Sequence, residues 1–126
     1  IGATGRWGED ARRPFPGHDP SAWDLDTLAA YRALLTIRRD SPALATGGLR
    51  WLHTGNDALA FVREHPDEAV LVVVARSQAE TVRIALSDLN AASVSHLFGF
   101  ESEVVADQVV IEVPSAGAGV WRVEGV

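Results

Sequence analysis

The chain has 126 residues, of which 47% are hydrophobic, so a packed core can form and disorder is not expected. The net charge is -6, which argues against a nucleic-acid-binding surface and against a polybasic membrane patch. Cysteine is absent, which excludes disulfides, thiol nucleophiles and thiolate metal ligands.

No stretch has the pattern of a signal peptide or a membrane span. The longest apolar run, residues 69–75, is far shorter than the ~20 residues that a span needs. Together with the missing cysteine, this favours a cytoplasmic location. The chain has no methionine and begins at Ile1, so we expect either a processed protein or a piece of a larger one.

Residues 1–20 are interrupted by glycine and proline throughout and predict an irregular loop. A loop of that length tends to be functional. Residues 21–39 predict one helix, which Ser21 or Asp24 can cap. Ser41 and Pro42 then end it. Apolar side chains recur along the helix at helical spacing: Leu28, Tyr31, Leu34 and Leu35.

From Gly47 onward the pattern changes to strands. The run at residues 70–74 is apolar throughout, as in a central strand buried on both faces. We interpret residues 115–119, which are small and flexible, as a hairpin turn. Short strands with regular turns predict an antiparallel sandwich or barrel: residues 49–54, 58–63, 70–74, 81–86, 94–98, 104–105, 109–113 and 120–123. The apolar helix face then lacks a partner, and a larger domain upstream is the simplest supplier.

Several segments, in this order, resemble the C-terminal portion of α-amylase-family glycoside hydrolases of the neopullulanase, cyclomaltodextrinase and α-glucosidase type. The opening Ile-Gly-Ala-Thr-Gly resembles the segment after the eighth barrel strand, and the Arg-Arg-Pro-Phe-Pro run resembles the loop that follows it. Further segments resemble the eighth barrel helix, its exit and the first strands of domain C. The matching segments are residues 1–5, 8–16, 28–39, 41–44, 48–50, 57–63 and 70–76.

The resemblance implies a mainly β chain, with the last helix of a (β/α)8 barrel followed by an antiparallel β-sandwich. Residues 1–46 would be the end of the catalytic barrel, comprising the loop after strand eight and helix eight. Residues 47–126 would be the sandwich, domain C. The parent enzyme would be a retaining α-glycoside hydrolase acting on α-glucans or malto-oligosaccharides.

The family's catalytic carboxylates lie on earlier barrel strands, so this chain alone is expected to have no catalytic residue and no activity. Its first loop would border the active site. There Asp10 and Arg12 could hydrogen-bond sugar hydroxyls, and Trp7 could stack on a sugar ring. In the alternative, Asp10 pairs with Arg12 or Arg13 to shape the loop, and Trp7 only packs.

The expected partners are the remainder of the barrel, in the same polypeptide or as a bound cleaved chain, and an α-glucan substrate. We expect no nucleic-acid or membrane partner, no cofactor and no metal, since the histidines lack metal-site spacing. Two other functions stay open: a freestanding carbohydrate-binding module and a structural interaction domain. Exposed, co-planar tryptophans would favour the binding module. An unpartnered apolar helix face would favour the hydrolase fragment.

Overall fold

The computed structural model describes residues 17–125, and the chain divides into two compact units between Thr36 and Ile37. In the first unit, a 3-10 turn, Pro20–Ala22, is capped by Asp19. Helix α1, Leu25–Asp40, follows, and its last turn belongs to the second unit. No helix in the described range is both long and apolar enough to cross a membrane.

Asp24 caps the start of α1. One of its carboxylate oxygens accepts a hydrogen bond from the backbone N–H of Thr27 at 2.9 Å. Of the two predicted caps, Ser21 and Asp24, the structure uses Asp24. The helix therefore begins at Leu25, later than the predicted residue 21. Ser21 instead donates to Asp19 within the 3-10 turn, because the Asp-Pro-Ser sequence forms its own local hydrogen bonds.

A second helix, α2, Pro42–Thr46, follows α1 after a single residue. The sequence predicted only the end of α1 at this point. Ser41 adopts an extended backbone and its hydroxyl caps α2 by accepting from the N–H of Leu44. Pro42 fits the first turn of α2 because a proline there gives up no helical hydrogen bond. The chain thus enters the β-domain through a bend between two helices.

Within residues 17–125, eight strands form two antiparallel sheets. The predicted antiparallel sandwich is confirmed, although most strands are longer than their apolar runs. The strands are β1, Gly48–Thr54; β2, Ala58–His65; β3, Glu68–Ala75; β4, Glu80–Ala85; β5, Ala91–Gly99; β6, Glu103–Val105; β7, Gln108–Val113; and β8, Gly117–Gly125. The five-stranded sheet has the order β1-β2-β3-β8-β5, and the three-stranded sheet has the order β4-β7-β6.

The main core lies between the two sheets. It is filled by valine, leucine, isoleucine and alanine from β2, β3, β4 and β7, together with Trp121 of β8, whose side chain is fully buried. Residues 70–73 of β3 are all buried, because alternate side chains join the core on one face and a second apolar cluster on the other. The prediction of a central strand buried on both faces is confirmed.

The segment 115–119 is not a hairpin turn. It leads from β7 in the three-stranded sheet to β8, which lies between β3 and β5 in the other sheet. Its small residues serve a connection between two sheets, and Gly117 already belongs to β8. A true two-residue hairpin joins β6 to β7, where Ala106 and Asp107 both have the positive φ angles of 49° and 61° that such a turn requires.

Candidate functional site

The residues predicted to contact substrate, Trp7, Asp10 and Arg12, lie outside the described residues. Their roles stay predictions. The candidate site that the structure does describe is on the β-domain, and the sequence did not single it out.

The histidines of the β-domain have local partners. The Nε2 atom of His53 lies 3.7 Å from a carboxylate oxygen of Glu80, and a ring nitrogen of His65 accepts from the backbone N–H of Asp67 at 3.1 Å. His96 lies 3.0 Å from the carbonyl oxygen of Gly99. Across residues 17–125, no three histidine or acidic side chains come close enough together to hold a metal ion.

The outer face of the five-stranded sheet, the face turned away from the three-stranded sheet, is apolar. Its middle row runs across all five strands in register: Trp51, Phe61, Val72, Val120 and Phe98. The next row holds Leu59 paired with Val74. Trp51 and Phe61 meet edge to face, with their ring centroids 5.6 Å apart. In an antiparallel sheet the second face is commonly polar and solvated, so this face is unusual.

The second apolar cluster covers one part of this outer face. Ala43 of α2 is fully buried and packs with Val70, Val72 and Val120, while Ile37 and Leu44 lie at the cluster's edge. The rest of the face is open. Trp51 is 55% exposed and Leu49 50%, while Leu59 and Val74 are each 37% exposed. We call the open part, formed by Leu49, Trp51, Leu59, Phe61 and Val74, the outer apolar patch.

A polar joint fixes α2 against the sheet. Glu68 is almost buried, and one of its carboxylate oxygens accepts from the Ser41 hydroxyl at 2.5 Å and from the Ala43 N–H at 3.4 Å. Its other oxygen accepts from the Nε of Arg122 at 3.3 Å. Ser41 is only 4% exposed, so this bond satisfies a hydroxyl that water does not reach. The bend between α1 and α2 is thereby attached to β3 and β8.

Two further interactions complete the joint. The guanidinium of Arg63 donates to the carbonyl oxygens of Gly47 and Gly48, where the chain passes from α2 to β1. Arg38 donates to the carbonyl of Leu44 at 2.8 Å. Nothing local in the sequence predicted this joint. A glutamate that begins a strongly apolar strand was the one available signal, since such a residue needs partners when it is buried.

A shallow groove of about 450 Å³ borders the patch at the β1–β2 turn. Leu59 and Val74 form its apolar wall. Asp57 lies at its polar end and accepts from Arg76 at 3.0 Å and from the Ser77 hydroxyl at 3.3 Å. These bonds tie the β1–β2 turn to the end of β3. The groove therefore extends the apolar surface and has its charges already paired.

The outer face of the three-stranded sheet differs sharply. Its exposed side chains include Thr81, Arg83 and Glu112, and the Thr81 hydroxyl donates to Glu112 at 2.8 Å. The three-stranded sheet thus presents polar and charged groups on β4 and β7 beside the exposed valines of β6, while the other sheet presents an aromatic and aliphatic surface. The candidate site has the character of a docking surface. It does not have the character of a catalytic centre.

The sequence model of the family described as maltogenic amylase, C-terminal domain, matches residues 49–120, more than half of the chain. No curated protein matches the sequence.

Solved structures share the fold at low sequence identity. AmyP in complex with maltotriose aligns with a TM-score of 0.72 at 19% identity, over 85% of this chain and 23% of that chain. The debranching enzyme of Nostoc punctiforme aligns with a TM-score of 0.72 at 23% identity, over 89% and 24%. The α-amylase of H. orenii aligns with a TM-score of 0.61 at 18% identity, over 77% and 20%.

The chain spans less than a quarter of the length of these structures. The family match covers residues 49–120 and so includes most strands of the β-sandwich described above. The resemblance to the α-amylase family is therefore confirmed, and the chain belongs to the family of maltogenic amylase C-terminal domains.

Proposed function

We propose that this chain is the C-terminal part of a retaining α-glycoside hydrolase that acts on α-glucans or malto-oligosaccharides. In that enzyme it supplies an active-site loop and a stabilising β-domain, and the catalytic acids come from the preceding polypeptide. Residues 1–46 would complete the barrel and residues 47–126 would form domain C. Membership of the maltogenic amylase C-terminal family supports this role, as does the fold shared with AmyP in complex with maltotriose.

The observation that carries the proposal is the apolar surface of α1. None of its residues is buried, and Tyr31 and Leu35 are 63% and 61% exposed. Each such side chain would gain ~1.5–3 kcal/mol if it became fully buried. In the family this helix packs on the outside of the barrel. A barrel that precedes the chain would therefore supply the missing contacts, whether in the same polypeptide or as a bound cleaved chain.

The structure favours this role over a freestanding carbohydrate-binding module. A binding module would be expected to present several co-planar tryptophans to solvent. Of the tryptophans that the structure describes, Trp51 alone is more than half exposed, and its ring packs against Phe61 edge to face. Trp121 is fully buried in the core.

The test uses the whole polypeptide that carries this chain at its C-terminal end, beside the 126-residue chain alone. We expect the whole polypeptide to hydrolyse maltotriose and to release the α-anomer first, as seen by NMR, since a retaining mechanism uses two displacements. The 126-residue chain should show no hydrolysis. A whole polypeptide inactive on malto-oligosaccharides, or activity in the chain alone, would overturn the proposal.

The roles of the first loop need their own variants in the whole polypeptide. Asp10→Asn and Arg12→Lys should each lower kcat/KM about ten-fold or more, since a hydrogen bond to a charged group contributes about 1.5–3 kcal/mol. Trp7→Ala should raise KM by removing a stacking surface. Arg83→Lys, on the polar outer face of the three-stranded sheet, is the matched control. Unchanged kcat/KM in the Asp10 and Arg12 variants would leave these residues only a structural role.

A further inference from the structure

We propose that β1 is a strap that opens separately from the rest of the sandwich, and that a clasp of His53, Glu80 and Gly55 holds it closed. The clasp joins the two sheets on the side where β1 and β4 are both edge strands. It lies within the β-domain, so its role is independent of the enzyme activity proposed above.

Strand β1 has little share in the core. None of its seven residues is buried, whereas its neighbour β2 has three buried residues. Leu52 packs against the main core but is only partly buried. As an edge strand, β1 pairs with β2 alone. Elements with few buried apolar contacts are the first to open in a folded protein, so β1 needs further contacts to stay in place.

A β-bulge turns His53 towards the other sheet. In a regular strand, residues 51 and 53 point to the same face, and Trp51 points outward. Here Trp51 pairs with Phe61 and His53 with Ala60, so Leu52 is an extra residue in β1. Ala60 belongs to the core between the sheets. The bulge therefore places His53 on the inner face of its sheet.

Glu80 meets His53 from the three-stranded sheet. It is the first residue of β4 and pairs with the core residue Val113, so it also faces inward. The Nε2 atom of His53 lies 3.7 Å from one carboxylate oxygen of Glu80, and the contact is an ion pair when the imidazole is protonated.

The contact is shielded from water. Among the described residues, neither Nε2 of His53 nor the second carboxylate oxygen of Glu80 has a hydrogen-bond partner, and both atoms are buried. Attraction between opposite charges is stronger in such a place than in water. Each of the two groups is therefore held mainly by the other.

Gly55, in the turn between β1 and β2, covers the clasp. A Cβ atom on Gly55 would lie 2.7 Å from Nε2 of His53 and 2.6 Å from a carboxylate oxygen of Glu80. Even the smallest side chain would have to push one of these groups aside. The carboxylate is the end of a flexible side chain and would give way first. The turn thus lies directly on the clasp because the residue is glycine.

Arg50 ties the other end of β1 to the same part of the chain. Its guanidinium donates to the carbonyl oxygen of Asp88 at 2.8 Å, in the 3-10 turn Leu86–Leu89 that follows β4. Side chains thus attach β1 both to the start of β4 and to the turn after it. Opening of β1 would leave β2 with an unpaired edge, which favours pairing with another chain.

Amide hydrogen exchange in the whole polypeptide that carries this chain, read by mass spectrometry at one pH, tests the strap. In the wild type, residues 49–54 of β1 should exchange faster than residues 70–74 of β3. Gly55→Ala should raise the exchange of residues 49–54 several-fold and leave residues 70–74 unchanged, because the added methyl group drives Glu80 away from His53. Gly48→Ala is the matched control on β1, since a Cβ atom there has its nearest contact at 4.0 Å. It should change neither segment.

Glu80→Ala gives a second measurement without crowding, because it only removes atoms. It should raise the exchange of β1 as Gly55→Ala does. Glu112→Ala is its control: this glutamate lies on the outer face of the same sheet, where it accepts from Thr81 at 2.8 Å. The control should leave β1 unchanged.

Three results would overturn the proposal. Exchange of β1 as slow as that of β3 in the wild type would mean that β1 does not open separately. Exchange that rises equally in β1 and β3 in the Gly55 and Glu80 variants would mean that the pair stabilises the sandwich as a whole. Exchange of β1 that is unchanged in both variants would mean that the contact between His53 and Glu80 does not hold the strand.

Discussion

Glu68 is the residue on which the joint between the helices and the sheet depends. Replacing it by alanine leaves the buried hydroxyl of Ser41 without its acceptor and removes the partner of Arg122. An unsatisfied buried polar group costs about 1–3 kcal/mol, so we expect Glu68→Ala to lower the free energy of unfolding by that amount. Urea denaturation followed by tryptophan fluorescence measures the change.

Glu64 provides the matched control, since it also pairs with an arginine across neighbouring strands. Its carboxylate lies 2.5 Å from Arg50 and raises the pKa of that guanidinium through a hydrogen bond, but both side chains are more than 40% exposed. Exposed ion pairs contribute about 0–1 kcal/mol, so Glu64→Ala should cost less than Glu68→Ala. Equal losses in the two variants would mean that burial of Glu68 does not matter.

Asp24 makes the start of α1 sensitive to acid. The backbone N–H of Thr27, followed by its side-chain hydroxyl, donates to the carboxylate and holds the pKa of Asp24 below the ordinary value of 3.8. A lowered pKa in the folded state means that the cap stabilises the helix above pH 3.8 and is lost as the pH falls through the folded value. Circular dichroism at 222 nm should therefore show α1 weakening only in strong acid.

The variant Asp24→Asn separates the cap from other carboxylates. Asparagine caps helices about as well as aspartate but does not titrate in this range. The variant should match the wild type near neutral pH and lose less helix in acid. If both proteins lose helix equally, the acid response comes from other groups.

Residues of this kind could be predicted only in part. Asp24 was among the candidate caps because capping depends on neighbours within four residues. The partners of Glu68 lie 25 or more positions away along the chain. Such partners become adjacent only when the sheet forms, so nothing local in the sequence indicated that Glu68 would be buried.

Strand β8 contains a glycine whose lack of a side chain makes room for the largest residue of the core. A Cβ atom on Gly119 would overlap the ring of Trp121, with 2.7 Å to its Cζ3 atom. Trp121 is fully buried and cannot move away freely. Overpacking a core costs about 1–3 kcal/mol, so Gly119→Ala should lower the free energy of unfolding by that amount.

Gly125, on the same strand, is the control because a Cβ atom there would meet nothing within 4 Å. Gly125→Ala should therefore leave the unfolding midpoint almost unchanged. Thermal unfolding of both variants tests the difference. A neutral Gly119→Ala would show that Trp121 can shift within the core at little cost.

The elements differed in how far the sequence predicted them. Strands such as β2 and β3 were predicted because alternation and apolar runs are local patterns. Helix α2 was missed because five residues are too few to display a helical period. The connection at residues 115–119 was wrongly interpreted as a hairpin, since the small residues of such a turn do not reveal which strand comes to lie beside β8. The apolar rows on the outer face of the five-stranded sheet could not be predicted for the same reason, because they also depend on which strands lie side by side.

At the scale of the whole molecule, the two parts of the chain should differ in stability when it is isolated. Helix α1 has no buried residue, whereas β2, β3 and β7 contribute to the core. Native-state hydrogen exchange should therefore show fast exchange for residues 25–36 and slow exchange for the core strands. Strong, uniform protection of α1 in a verified monomer would show that the helix is self-sufficient and needs no barrel to cover it.

The position of β8 also determines when the sandwich can be completed during translation. It follows the other seven strands in the sequence and leaves the ribosome after them, yet it lies between β3 and β5 and holds them in one sheet. Until β8 emerges, both neighbours present unpaired edges, and the buried valines of β3 lack half of their strand partners. Unpaired edges promote association between chains. Nascent chains of this domain should thus be most prone to aggregate, and most dependent on chaperones, just before β8 emerges from the ribosome.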